Sequence, residues 1–232
     1  MSSKIAIMGA MPEEIEPIID KLENLKETVY AANKYYEGTY HGKEVVVAYS
    51  KIGKVFAALT ATSLIEKFGC NTLLFSGVAG AISDELKIGD LIIADSLCQH
   101  DLDITAFGHA HGYVPEGEVC VLSDEKLRAV AKKVAKTKGL TLKEGIIATG
   151  DQFVADTQRK EWISKTFNAD ALEMEGAAVA VVCNALGAPF FILRAISDSA
   201  DMDAGFDFDA FLESSAKISA DFILSMIDEI KD

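Results

Sequence analysis

Seven short runs of apolar and β-branched residues punctuate the chain, at 5–9, 35–41, 45–50, 72–76, 90–94, 145–149 and 190–196. Several are apolar at consecutive positions, so both faces of such a strand need cover, as in the centre of a sheet with helices on each side. Helical periods alternate with them at 12–25, 54–68, 124–138, 157–167, 175–186 and 209–231. Gly69 directly after Phe68 supplies a stop for the second helix. The last helix carries the clearest stripe, running from Phe208 through Phe211, Ile218, Phe222 and Met226 to Ile230 at helical spacing. This alternation predicts an α/β fold, a three-layer α/β/α sandwich around a central mixed β-sheet. No linker or repeat divides residues 1–232, half of which are apolar, so one core and one domain are expected.

Charge narrows the partners. The chain has 22 Lys and Arg against 36 Asp and Glu, a formal charge of −14, with no basic run longer than two residues. Nucleic acid and an anionic membrane surface would repel it, which leaves small molecules. The first apolar run, 5–11, meets Glu13, Glu14 and Glu16 rather than a cleavage site and does not read as a signal peptide. The longest apolar stretch, 177–193, is broken by Asn184, Gly187 and Pro189, unlike a membrane span. A cytoplasmic protein is expected. Cys70, Cys98, Cys120 and Cys183 form no CxxC pair and read as packed thiols.

Ligands of open α/β sheets gather at the carboxyl ends of strands, and here those segments are small, Gly-rich and acidic. They are Gly9-Ala-Met-Pro-Glu-Glu14, Ser50-Lys-Ile-Gly53, Ser76-Gly-Val-Ala-Gly80, Gly150-Asp-Gln-Phe-Val154 and Ser197-Asp198, with Glu173-Met-Glu175 opening a helix. None is a dinucleotide fingerprint and no GxxxxGK[ST] occurs, which disfavours a nucleoside triphosphate. Glycine there lets backbone amides approach a flat ring or a sugar, or simply makes a tight turn. Glu14 and Glu175 suit either a ligand or a helix N-terminus, and Asp198 suits either a general acid or a strand-end cap.

Taken together and in order, these segments, with Thr105-Ala-Phe107 and Arg194-Ala-Ile-Ser-Asp198, resemble the bacterial 5′-methylthioadenosine/S-adenosylhomocysteine nucleosidases of the purine nucleoside phosphorylase superfamily, over residues 4 to about 228. Residues 47–55, 99–101 and 143–153 look closest to the branch that also hydrolyses aminodeoxyfutalosine in a menaquinone route. The resemblance implies a nucleoside phosphorylase-like domain that releases adenine from methylthioadenosine, adenosylhomocysteine, 5′-deoxyadenosine and aminodeoxyfutalosine without a cofactor. It makes Asp198 the acid that protonates adenine N7, Glu14 the base that holds and deprotonates water, and Glu175 the carboxylate on the ribose hydroxyls, beside the Met174 backbone. Cleavage through an oxocarbenium-like sugar needs such a pair of acidic groups. It also implies that Phe153 stacks on adenine, the Val154 backbone reads its edge, Ser197 orients Asp198, and Arg194 lies near Glu14 and the water. Ala10, Val78 and Gly80 fall at substrate-facing positions. Met11, Ile52 and Phe208 would line the 5′-pocket, with Ile104, Phe107 and Pro115 reaching in from a second subunit of a homodimer.

Val78 departs from the resemblance, because many members carry Ser there and its hydroxyl could help hold the water. His100, Asp101, Asp103, His109 and His111 cluster without a zinc spacing, so no metal is expected. The run Asp201, Asp203, Asp207, Asp209 does not fit a calcium loop, since Gly205 misses the sixth position. Two other functions remain open at this point: a phosphorylase, which needs Arg or backbone donors around phosphate, and a nucleoside-binding protein without catalysis.

Overall fold

The computed structural model describes residues 4–198 and 204–230. The first half of the chain forms β1 (Lys4–Gly9), α1 (Pro12–Ile19), β2 (Glu23–Tyr30), β3 (Asn33–Tyr40), β4 (Lys43–Tyr49), α2 (Lys54–Thr62), β5 (Thr72–Ala81) and β6 (Leu91–Gln99). It continues through β7 (Cys120–Leu122), α3 (Glu125–Lys138), β8 (Leu142–Thr149), α4 (Thr157–Phe167), β9 (Ala171–Glu173), α5 (Gly176–Leu186), β10 (Phe190–Asp198) and α6 (Ala204–Glu229). One turn of π-helix extends α2 over Ser63–Lys67, ahead of Gly69 at φ +71°.

The sheet is mixed and central, as expected, and part of it closes on itself. β5 pairs in parallel with both β1 and β10; β10 then pairs antiparallel with β6, β6 parallel with β8, β8 parallel with β9, and β9 returns antiparallel to β5. Outside this five-stranded ring, β1, β4, β3 and β2 continue the sheet. On one side α2 and α5 bury Ala57, Ala61, Val179 and Cys183 against Met8, Leu73 and Ile192. On the other, α1, α3 and α6 bury Ile18, Ala131 and Phe222 against Ile7, Leu74 and Leu193. α4 closes the third region with Ile163 and Phe167 against Ala148 and Leu172. The sheet and the two helix groups on its opposite sides are the three predicted layers. Among the described residues no helix is long and apolar enough to cross a membrane.

Three differences from the sequence reading have local causes. The helix predicted over 12–25 stops at Ile19, and the chain turns into edge strand β2. A two-residue turn at Ala31-Ala32, φ +49° and +56°, joins β2 to β3. Hairpins of this kind usually declare themselves by Asn or Gly, so alanines left no signal. The three-residue strands β7 and β9 are too short to show a period. Strand β5 does not end at Ser76 but runs ten residues through Gly77 and Gly80, buried from Leu73 onward. An added Cβ at Gly77 would meet a Glu14 carboxylate oxygen at 2.8 Å and an Arg194 nitrogen at 3.0 Å, so that glycine marks close approach rather than a turn.

The terminal helix begins earlier than predicted, at Ala204, and its buried face is displaced from the predicted stripe. Ser215, Ala216, Ser219 and Ala220 are buried, letting α6 lie close to the sheet, whereas Phe211 and Ile218 remain exposed. The Ser219 hydroxyl sits 2.9 Å from that of Ser76 and accepts the Gly77 N–H at 3.2 Å. Phe222 and Ile218 were assigned to one apolar face and are separated by burial, 1% against 38% exposed. Phe222→Ala should cost about 3–5 kcal/mol of unfolding free energy, and Ile218→Ala no more than about 0.5 kcal/mol. Urea unfolding of the two variants checks this; equal losses would contradict the register of α6.

Candidate active site

Glu14 stands in the first turn of α1, directly after β1, and is buried. Its Oε2 accepts the backbone N–H groups of Ala10 and Met11, and its Oε1 accepts that of Val78, 3.0 Å away on β5. Three of a carboxylate's roughly four acceptor positions are thereby filled, leaving about one for a small donor such as water. Burial pushes the Glu14 carboxyl above its ordinary range, against the lowering effect of Arg194 and the three N–H groups. Val78 contributes to this arrangement through its backbone, which a serine would offer equally.

Glu173 and Glu175 flank the start of α5. Glu173 Oε2 accepts the Glu175 and Gly176 N–H groups at 3.1 and 2.7 Å and an Arg194 N–H at 2.6 Å. Its other oxygen receives the Thr149 hydroxyl. Glu173 therefore caps a helix and neutralises Arg194, which is 1% exposed and lies over the Phe75 ring at 4.0 Å. Glu175, at the cap position itself, accepts the Gly53 N–H at 2.8 Å. Burial, and then the neighbouring Glu173 charge, push the Glu175 carboxyl up to about 8.

Asp198 ends β10. The pairing of β10 with β5 slips between Ile196 and Asp198, so Ser197 is the extra residue of a bulge. A bulge re-aims the side chains beside it, and here Ser197 and Asp198 both reach the cavity. The Ser197 hydroxyl donates to Asp198 at 2.8 Å.

These acids line one cavity of about 300 Å3. Ala10, Met11, Val78 and Gly80 form part of its wall, together with Met174 and Val154, while Ile52, Phe153 and Phe208 stand toward its mouth. Phe153 and Phe208 meet edge to face, with centroids 5.8 Å apart. Four lining residues were absent from the sequence-derived set: Ala79, Gln152, Leu172 and Glu173. Of these, Glu173 had a signal, an acid two residues before a helix start. Arg194 does not line the cavity; it lies behind it, ion-paired to Glu173 and close to Glu14. Ile104, Phe107 and Pro115 are likewise outside it, and Phe107 is 82% exposed.

The His and Asp cluster has other work. Asp101 binds Lys54 at 2.7 Å, Asp103 accepts the Thr105 N–H at 2.9 Å, His109 stacks on Tyr113, and His111 meets Trp162 edge-on. His100 is buried, which pushes its imidazole down to about 4. Among the described residues no group of His, Cys, Asp or Glu is arranged to hold a metal. Asp201 and Asp203 lie outside the described residues, as do the side chains of Asp207 and Asp209.

A partly closed mixed sheet that brings Glu14, Glu175 and Asp198 to one largely apolar cavity makes the kind of concave, carboxyl-bearing site in which α/β enzymes take small molecules. A model of the phosphorylase superfamily matches residues 4–228, and the chain belongs to that superfamily. It is 55% identical to an aminodeoxyfutalosine nucleosidase of Campylobacter jejuni, over 98% of this chain and 99% of that one. To a 5′-methylthioadenosine/S-adenosylhomocysteine nucleosidase of Actinobacillus succinogenes it is 41% identical, over 98% and 100%. The solved structure of a futalosine hydrolase of Helicobacter pylori superposes with a TM-score of 0.97 at 51% identity, covering 99% of each chain.

The raised carboxyls make stability depend on pH. With its folded value near 8 and an ordinary value of 4.5, Glu175 keeps in the folded state a proton that the unfolded chain has lost, so stability falls as pH rises through that interval. Glu14 acts in the same direction. His100, lowered from 6.5 to about 4, has the opposite sign, but only below about 6.5. The melting temperature of the free protein should therefore drop by a few degrees between about pH 6.5 and 8, and Glu175→Gln should flatten the slope. A wild-type melting temperature that rose over this interval would contradict the carboxyl assignment.

Proposed function

We propose that this protein hydrolyses the N-ribosidic bond of adenine nucleosides and releases adenine, acting on 5′-methylthioadenosine, S-adenosylhomocysteine, 5′-deoxyadenosine and 6-amino-6-deoxyfutalosine. The observation that carries hydrolysis over phosphorolysis is the set of N–H groups at Ala10, Met11 and Val78. Converging backbone donors make an anion site, and here Glu14 fills it with its own carboxylate. Phosphate would meet a negative charge there, whereas water finds an acceptor. The nucleosidases named among the relatives support methylthioadenosine, adenosylhomocysteine and aminodeoxyfutalosine as substrates.

In this reading Asp198 donates a proton to adenine N7, so the purine leaves as a neutral molecule. Glu14 takes the proton of the water that adds to the sugar carbon. Glu175 holds the ribose hydroxyls, and its ionised form, favoured as positive charge grows on the sugar, stabilises the developing oxocarbenium ion in a water-poor cavity. Phe153 stacks on the base and Val154 reads its edge through the backbone. Ser197 keeps Asp198 oriented, and Arg194 acts from behind by balancing Glu173 and Glu14. Adenine release should proceed without phosphate and at the same rate with it. Asp198→Asn and Glu14→Gln should each lower kcat by at least about 10²-fold with little change in substrate binding. Glu175→Gln should raise KM as well as lower kcat. Retention of wild-type kcat by both Asp198→Asn and Glu14→Gln would overturn the roles, and a strict phosphate requirement would overturn hydrolysis.

The same reading makes the protein a homodimer. α2 leaves Val55, Phe56 and Leu59 exposed, Val55 by 75%, close in sequence to Ile52 at the cavity mouth, and Phe107 is bare on its own turn. A second copy would cover these residues and bring Ile104, Phe107 and Pro115 against the 5′-end of the substrate, as in a closed twofold pair. Sedimentation at assay concentration should give twice the chain mass. Phe107→Ala should raise KM for substrates with a long 5′-group. A fully active monomer would refute the dimer.

A further inference from the structure

Cys98 and Cys120 are direct partners in the antiparallel pairing of β6 with β7, flanked by Leu97 opposite Val121. Residues opposed in this way point to the same face, with Cα atoms about 4.5–5.5 Å apart. That separation falls within the roughly 4.4–6.8 Å that a disulfide spans. The Cys98 and Cys120 side chains therefore stand side by side on that face, as directly opposed residues of an antiparallel pair do. β7 has three residues and, among the described residues, pairs in the sheet with β6 alone, so few ladder hydrogen bonds resist a small adjustment.

The pair is also polarised. Cys98, Cys70 and Cys183 are buried, and Cys120 is the cysteine with solvent contact. Burial pushes the Cys70 and Cys183 thiols up to about 12, whereas donation from Cys98 holds Cys120 below the ordinary thiol range. A partly exposed thiolate beside a second thiol is the arrangement that two-electron oxidants attack.

We propose that Cys98 and Cys120 form a dithiol modification site, oxidised by hydrogen peroxide to a disulfide that closes the 99–119 segment into a loop. The Cys120 thiolate attacks one peroxide oxygen; the O–O bond breaks, hydroxide leaves, and Cys120 becomes a sulfenic acid. The Cys98 sulfur then attacks the Cys120 sulfur, the S–O bond breaks, and the departing oxygen takes up the Cys98 proton and leaves as water. Two thiols and one peroxide give one disulfide and two waters, with two electrons passing from sulfur to oxygen. The closed segment begins at Gln99 and Asp101, which bind Lys54, and carries the exposed Phe107. The disulfide thus staples the base of the excursion that bears Phe107.

The test uses the native chain, fully reduced, desalted and treated with a slight excess of hydrogen peroxide. Its intact mass should fall by about 2 Da and be restored by a thiol reductant. Non-reduced peptide mapping should join the Cys98 and Cys120 peptides. The oxidised form should melt several degrees higher than the reduced form, as expected for a cross-link closing a loop of this length. In Cys98→Ser the Cys120 peptide should instead gain about 32 Da, the sulfinic acid left when no partner traps the sulfenic acid. A disulfide mapped to Cys70 or Cys183 would overturn the site, as would native protein in which Cys120 is over-oxidised while Cys98 stays a free thiol. An oxidised form melting no higher than the reduced one would overturn the staple.

Discussion

The guanidinium of Arg194 has almost no contact with solvent; it lies on the face of Phe75 and gives one N–H to Glu173 at 2.6 Å. Glu173 in turn holds the first amides of α5 and the Thr149 hydroxyl, and so joins β8, β9, β10 and α5 through one carboxylate. Breaking a buried pair of this kind from one side leaves an uncompensated charge, at a cost of about 3–5 kcal/mol. The arrangement also explains how Glu14 and Glu175 can be buried beside it. Arg194 lowers both carboxyls, while Glu173 raises Glu175. The cavity therefore has carboxyls raised by burial, with Arg194 working against that rise at both.

In the proposed reading, hydrolysis is favoured over phosphorolysis by what sits in one small nest of amides. Ala10 and Met11 bring two N–H groups from the end of β1 and Val78 brings a third from β5. The two parallel strands that carry them are in direct register, Met8 opposite Phe75. Gly77 keeps the path between them open, since any Cβ there would strike Glu14. A carboxylate reaching back from the first turn of α1 fills the nest from inside the protein and turns an anion receptor into a base with one free acceptor position. The proposed choice of water as nucleophile thus rests on Glu14 and Gly77 more than on the side chain of Val78.

Much of the fold was legible because buried strands and amphipathic helices leave periods in the sequence. The strand over 190–196 and the helix over 157–167 illustrate this, the helix in its full extent. What stayed hidden was set by partners distant in sequence. Nothing in Ala31-Ala32 announces a reversal, and nothing around Cys120 or Ala171 announces three-residue strands that exist only by pairing with β6, β8 and β5. Site legibility divides in the same way. Glu14, Glu175 and Asp198 could be picked out because each follows an apolar run or opens a helix. Asp198 gains its aim from a slip in register at Ser197, and Arg194 its partner from a strand elsewhere in the sheet. Neither is a property of neighbouring residues.

Three segments that face the cavity or adjoin it are tied to one another by charges at their edges. The Lys54 ammonium binds Asp101 at 2.7 Å and Gln99 at 3.1 Å. The other Asp101 oxygen accepts the Asp151 N–H, and the Asp151 carboxylate accepts the Lys54 N–H, each at 2.8 Å. This closed circuit joins the start of α2, the end of β6 and the loop after β8. Gly53, one residue before Lys54, gives its N–H to Glu175, and Phe153 and Val154 follow Asp151 by two and three residues. The proposed base-binding loop and the proposed ribose carboxylate are therefore positioned by one network. Such preorganisation matters in the proposed mechanism, where a nucleoside presents its base to Asp198 and its sugar to Glu14 at the same time, because a shift of about 1 Å in either can cost of order 10²-fold in rate. The His and Asp cluster, whose spacing in the sequence matched no metal pattern, serves this circuit through Asp101.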